Sequence, residues 1–335
     1  MIRILVPAAI ALMSLPAAAQ ERPTYGSRLE GYDYPHPVRV HAFESQRQPL
    51  EMTYMDVAPT GPANGRTALL LHGKNFCAAT WAPTIAVLAQ AGFRVVAVDQ
   101  IGFCKASKPT GYQFSLPQLA ANTKGLLNAL GVEKAVVVGH SMGGMLGARF
   151  AIQHPEAIER LVLVNPIGLE DWQAEGVPFA TMDAAFAGER RTTFDSIKAY
   201  QQRVYYDGDW RPEYDAPVEM LAGMYAGPGG EIVAWNQAQT SDMIFTQPVV
   251  HEFGRIAAPT TLIIGGTDRT APGANRAPEA VQARLGLYPE LGRRAAEAIP
   301  NAELVLFDDL GHAPQTEDPE RFHRALLEAL AGPEG

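Results

Sequence analysis

Short runs of β-branched and aliphatic residues recur at 68–71, 94–98, 135–138, 161–164, 260–264 and 304–307. Their continuous apolar character is the pattern of strands buried on both faces. Between them lie stretches with apolar positions at helical spacing: 81–91, 116–130, 145–154, 289–299 and 318–330. Gly92, Gly131 and Pro155 stop the first three. Upstream, 38–43 and 50–57 read as two strands joined by the polar turn 44–48, and residues 21–37, rich in Pro, Gly and Tyr, read as an irregular arm. This alternation predicts an α/β fold, a parallel sheet with helices on both faces. In such sheets the ligand site lies at the carboxyl ends of the strands.

Between residues 166 and 255 the character changes. Strong β-branched runs are missing, and helical stretches such as 194–206 and 218–224 alternate with Pro and Gly breaks. We read 166–255 as a helical cap inserted into a core made of 20–165 and 256–335. Trp172 and Trp210 in the cap, with Phe76 and His140 in the core, are the expected substrate-pocket residues. Gly227-Pro228-Gly229-Gly230 lacks a preceding strand and a following Lys-Ser/Thr, so it reads as a turn and not a phosphate cradle.

The first residues carry a separate message. Arg3, an apolar stretch over 4–15 and Ala17-Ala18-Ala19 form the pattern of a cleaved secretory signal spanning 1–19, with cleavage after Ala19. A periplasmic or secreted protein is expected, without stable membrane insertion after cleavage. A formal net charge of -9 and no basic tract argue against nucleic acid as a partner. Two cysteines, Cys77 and Cys104, each follow a predicted core strand. In an oxidising compartment they can pair, and two buried free thiols are the alternative. The histidines form no metal-ligand spacing, and neither a metal nor a cofactor is expected.

The strand at 135–138 runs straight into Gly139-His140-Ser141-Met142-Gly143, and a helix follows. A G-x-S-x-G at a strand-to-helix turn holds the serine hydroxyl clear of the sheet as a nucleophile. A serine needs a base, and the base needs an orienting group. His312 follows the last predicted strand and suits the base; Asp268 follows the strand before it and suits the orienter. Glu170 and Asp171 compete with Asp268 from a neighbouring strand end, whereas Asp308 and Asp309 sit too close along the chain to His312. The backbone N–H of Met142, with one from Lys74 or Asn75, would hold the oxyanion. A small-molecule substrate follows.

Together His72-Gly73, Asp99-Gln100-Ile101-Gly102, Gly139 to Gly144, Gly265 to Asp268 and Gly311-His312-Ala313-Pro314 resemble the α/β-hydrolase superfamily in its cap-bearing serine hydrolase branch. The resemblance implies an eight-stranded, mostly parallel sheet and a Ser141–His312–Asp268 triad. Haloalkane dehalogenase and epoxide hydrolase relatives use Asp as nucleophile, which Ser141 argues against. Relatives often carry Gly-x-Gly-x-Ser after the Asp99 position. Here Gly102-Phe103-Cys104-Lys105-Ala106-Ser107 departs from that pattern and favours a Cys77–Cys104 tie. The expected chemistry is hydrolysis of carboxylic esters of small or medium apolar substrates. A proline-type aminopeptidase and a C–C bond hydrolase are the enzymatic alternatives. The non-enzymatic one is an inactive scaffold used for binding.

Overall fold

The computed structural model describes residues 22–331, so the expected signal segment and its cleavage point lie outside the described residues. The elements in chain order are β1 (Val38–Ser45), β2 (Gln48–Val57), β3 (Thr67–Leu71), α1 (Ala82–Gln90), β4 (Arg94–Asp99), α2 (Leu116–Ala129), β5 (Ala135–His140), α3 (Met142–Gln153) and β6 (Ile158–Val164). Then come α4 (Met182–Glu189), α5 (Phe194–Val204), α6 (Asp215–Ala226), α7 (Gly230–Thr246), β7 (Thr260–Gly265), α8 (Glu279–Gln282), α9 (Tyr288–Ala298), β8 (Ala302–Phe307), α10 (Pro314–Glu317) and α11 (Pro319–Ala331). The strands form one eight-stranded sheet in the order β1-β2-β4-β3-β5-β6-β7-β8. Strand β2 is antiparallel to both neighbours, and β3 through β8 pair in parallel.

The continuous apolar runs are explained by what covers each face. Leu69, Leu71, Val96, Val98 and Val137 face one core with Leu119 and Leu126 of α2, Phe150 of α3 and Leu291 of α9. Their neighbours Ala68, Leu70, Val95, Ala97, Val136 and Val138 face a second core with Ile85 and Leu88 of α1 and Phe322 and Leu326 of α11. Both faces of the central strands β3, β4 and β5 are covered, so their side-chain alternation leaves few polar positions, whereas β1 and β8 at the sheet edges keep partly exposed residues.

Helices α4 to α7 lie in the long connection between β6 and β7. Here the sequence reading was coarse. It found α5 and α6 but not α7, because α7 buries Asn236, Gln237 and Thr240 among its apolar residues and so shows no clean apolar stripe. Gly227-Pro228-Gly229-Gly230 is the turn into that helix.

Asp99, at the end of β4, is fully buried and accepts from Ala78 N (2.8 Å), Tyr34 Oη (2.7 Å) and Thr53 Oγ1 (3.0 Å). It thereby ties the loops after β3 and β4 together. Cys77 and Cys104, one in each loop, form a disulfide with Cα atoms 5.8 Å apart and a sequence separation of 27. Gly102 and Cys104 both take positive φ, at 90° and 47°, which brings the thiol side to its partner. The cross-link removes loop-closure entropy from the unfolded chain, worth roughly 3 kcal/mol for a loop of this size. We expect the Cys77→Ala/Cys104→Ala protein to fold with a Tm several degrees lower by calorimetry; an unchanged Tm would mean that the Asp99 hydrogen bonds alone set the loops.

Candidate active site

Strand β5 ends against α3 with a single residue between them, and that residue is Ser141. Its backbone sits at φ 55°, ψ −119°, a left-handed conformation rarely adopted by a side-chain-bearing residue. Two glycines make the turn possible. A Cβ on Gly139 would overlap the Gly143 carbonyl, and one on Gly143 would overlap the Leu71 carbonyl at the end of β3. Ser141 N donates to Val164 O (3.0 Å), and Ser141 O accepts from Ile167 N (3.2 Å), which registers the turn on β6. Met142 N is the first N–H of α3, one of those that intrahelical bonding leaves free.

His312 lies after β8 and is fully buried. Its Nδ1 lies 2.6 Å from Asp268 Oδ2 and 3.1 Å from Thr270 Oγ1. A carboxylate there takes the proton on Nδ1 and leaves Nε2 as an acceptor. His312 Nε2 is buried with no hydrogen-bond partner among the described residues. Asp268 is itself fully buried, and every oxygen is used: Oδ2 also accepts from Asn165 Nδ2 (2.9 Å), and Oδ1 accepts from Thr270 N (2.8 Å). The competing acids are elsewhere. Glu170 accepts from Trp172 Nε1 and Gly286 N, and burial pushes its carboxyl up. Asp171 meets His251 at 2.9 Å, and Asp309 pairs with Arg321.

The loop after β3 forms the opposite wall. His72 Nε2 accepts from Gln100 N, so its proton is on Nδ1 and is donated to Gly73 O at 2.8 Å. That bond holds the turn at Gly73, where a Cβ would stand 3.0 Å from Ser141 Cβ. Lys74 and Asn75 follow, and both line a cavity of about 340 Å³ that also takes in Ser141 and Thr270. Their side chains reach across to the inserted helices. Lys74 Nζ meets Glu189 Oε1 at 3.1 Å, and Asn75 Nδ2 donates to Tyr205 Oη at 2.9 Å.

Four expected pocket residues need correction, since none of them lines this cavity. His140 is buried behind Ser141, donating from Nε2 to His312 O (2.8 Å), and burial holds its pKa well below the usual value, so it stays neutral. Phe76 packs edge-on to His140 and stacks on Tyr205. Trp172 is buried against Phe245 and bonded to Glu170, and Trp210 packs with Tyr206 and Tyr214. These two tryptophans go into the packing of the insertion itself. The wall is made instead by Ile167, Ile197, Leu221, Ile244 and Phe245, with the tyrosines Tyr200, Tyr205 and Tyr225. Asn165, Thr270 and Tyr205 were not found by sequence reasoning. The position of Asn165 one residue past β6 was the available signal for the first.

Among the described residues, one set of His, Cys, Asp and Glu atoms stands close enough to share a metal, Cys77, Asp99 and Cys104. Both sulfurs there are consumed by the disulfide.

The comparisons agree with this geometry. The profile of the alpha/beta hydrolase fold family matches residues 68–319. The crystal structure of a probable hydrolytic enzyme from Pseudomonas aeruginosa PAO1 is 60% identical, covers 92% of this chain and 99% of its own, and superposes with a TM-score of 0.91. A 2-hydroxy-6-oxononadienedioate/2-hydroxy-6-oxononatrienedioate hydrolase of Burkholderia vietnamiensis is 30% identical over 288 residues, 84% of this chain and 91% of that protein. An enol-lactonase from Burkholderia xenovorans LB400, at 22% identity and a TM-score of 0.64, covers 84% of this chain and 97% of its own and shares the fold. The chain belongs to the α/β-hydrolase fold family and is a hydrolase.

Proposed function

We propose that this hydrolase cleaves carboxylic esters of small to medium apolar substrates through an acyl-serine intermediate. The observation that carries the reading is His312: Nδ1 is held by a buried carboxylate, Nε2 is unspent, and its carbonyl is held by His140, the residue just before the serine on its strained turn. His312 Nε2 takes the Ser141 proton as Oγ bonds to the acyl carbon. The carbonyl electron pair moves onto oxygen, which receives the N–H of Met142 and one from Lys74 or Asn75. The C–O bond then breaks, His312 returns the proton to the leaving alcohol, and water repeats the sequence to release the acid. The apolar wall of Ile167, Ile197, Leu221, Ile244 and Phe245 supports an apolar acyl group. In this reading the helices between β6 and β7 act as a cap over the serine.

A second reading, hydrolysis of a C–C bond in an oxo acid, is favoured by Arg276. It lines the cavity, lies 4.9 Å over the Phe245 ring, and donates from Nε to Pro178 O. No described carboxylate lies within ion-pair distance of it, leaving its charge for an anionic substrate. The Burkholderia vietnamiensis relative is named for a hydroxy-oxo-dioate. The aminopeptidase alternative would use acidic residues of the insertion to grip a substrate amine; of Glu170, Asp171, Glu175 and Asp207, the first three are engaged by Trp172, His251 and Arg284 in turn.

The test is turnover of a p-nitrophenyl ester series from acetate to palmitate beside a ring-fission dienoate. We expect ester turnover to peak at short to medium acyl chains and Ser141→Ala to lower kcat/KM at least ~1,000-fold with an unchanged Tm. Turnover of the dienoate alone would transfer the assignment to the second reading.

We further propose that the chain is exported and cut after Ala19; the disulfide, which persists in oxidising compartments, supports this. N-terminal sequencing of the native protein should begin at Gln20, in the periplasmic or secreted fraction. A mature chain beginning at Met1 in the cytoplasm would reject export.

A further inference from the structure

A residue of the insertion, Tyr205, is built into the His312 loop. Tyr205 stands directly after α5 and is 4% exposed. Its carbonyl accepts His312 N at 2.9 Å, and its ring lies over the His312 imidazole with centroids 4.2 Å apart. The face of a phenol ring suits an imidazole that becomes positive during turnover. The next turn of chain is pinned as well, since Arg269 N donates to Val204 O at 3.1 Å. Tyr205 lines the same cavity as Ser141 and Asn75, and its phenol oxygen meets the Asn75 side chain.

The direction of the hydrogen bond there decides what the phenol can do. Asn75 Nδ2 donates to Tyr205 Oη at 2.9 Å. The oxygen is therefore an acceptor in that contact, and its own O–H is left over. Burial holds the Tyr205 pKa well above the ordinary tyrosine value, so the phenol keeps its proton throughout the neutral range. Asn75 is also one of the two residues in position to offer a backbone N–H to the oxyanion. Its side chain thus places the phenol beside that loop.

We infer that Tyr205 is a catalytic residue that donates its phenol O–H to the oxyanion of the tetrahedral intermediate, beside the N–H of Met142 and of the loop after β3. The inference rests on the acyl-serine reading above. In the balance of that step the Ser141 Oγ–carbon bond forms, the carbonyl π pair moves onto oxygen, and the Ser141 proton passes to His312 Nε2. Tyr205 lends a hydrogen bond to the new negative charge and transfers no proton. On collapse the C–O bond breaks, His312 protonates the leaving alcohol, and the phenol is released unchanged. Because charge on that oxygen is largest in the transition state, the contact acts on kcat more than on KM.

The experiment compares wild type, Tyr205→Phe, Asn75→Ala and the double variant on p-nitrophenyl butyrate, with Tm and fluorophosphonate labelling of Ser141 recorded for each. Tyr205→Phe is expected to lower kcat 10- to 100-fold, with KM within about threefold, Tm nearly unchanged and labelling still reaching one equivalent. Asn75→Ala should lower kcat less. The double variant should be no slower than Tyr205→Phe, because Asn75 acts through the phenol. Tyr205→Phe with kcat within twofold of wild type and full labelling would overturn the inference, as would a fall in Tm with kcat preserved. Should Tyr205→Phe fail to fold, Asn75→Ala decides: a several-fold kcat loss at unchanged Tm supports the donor, and unchanged kcat rejects it. Wild type that is not labelled at Ser141 would instead reject the acyl-serine reading itself.

Discussion

The strained backbone of Ser141 is the constraint around which the central sheet is arranged. A non-glycine residue in such a conformation costs of order 1–3 kcal/mol and persists only where its surroundings over-determine it. Here the N–H goes to Val164 O, and the carbonyl accepts from Gly144, Met145 and Ile167. The end of β3 closes on Gly143 so tightly that no Cβ would fit. β5 must therefore lie between β3 and β6, as it does in the observed strand order. The sheet topology and the place of the serine at the cavity wall are consequences of the same close packing.

The acid is tied to the nucleophile through β6. Val164, the last residue of β6, takes the Ser141 N–H; Asn165, the next residue, donates to Asp268 Oδ2 and accepts from Gly265 N at 2.9 Å. One strand end thus sets both the turn that carries the serine and the carboxylate that orients the base. A fully buried carboxylate would be costly without partners, and here its oxygens accept from Asn165, Thr270 and His312. Glu317 supports the base from the other side, accepting N–H groups from Gly311 and Ala313 on either flank of His312. Burial raises the Glu317 carboxyl to about 7 against those two hydrogen bonds.

What was legible in the sequence follows from how local each signal is. Strands dry on both faces write themselves as apolar runs, and a strand–serine–helix turn needs glycines at fixed spacing. The sheet, Ser141, His312 and Asp268 could therefore be read before any coordinates. Asn165 carried only its position just past β6 as a signal and Tyr205 carried none, because what places them is a partner 103 residues away in one case and 130 in the other. The insertion was hardest to read for a related reason. Its tryptophans looked like pocket walls because large aromatics do line pockets, but a small helical layer must first fill its own interior. Trp172 and Trp210 were used for that purpose. One of the helices that supply cavity residues, α7, buries amides along with its aliphatic side chains and so carries no clear period.

The cavity's own polar groups argue for how it selects a substrate. Burial pushes the Glu189 carboxyl up, yet Lys74 and the hydroxyls of Tyr225 and Ser241 outweigh it and hold it below the usual range. Lys74 and Glu189 cancel each other's charge before any ligand arrives, and their ion pair joins the oxyanion loop to α4. A charged ligand at that end would have to break a partly buried pair, which costs more than an exposed one. An apolar acyl group has no such cost and gains the contact of Ile197, Leu221, Ile244 and Phe245. At about 25 cal/mol per Å² of apolar surface removed from water, burial of a short alkyl chain is enough to hold it. On the proposed ester reading, the Lys74–Glu189 pair disfavours a charged acyl group while Ile197, Leu221, Ile244 and Phe245 favour an alkyl one; the second reading relies instead on Arg276, which pairs with no carboxylate among the described residues.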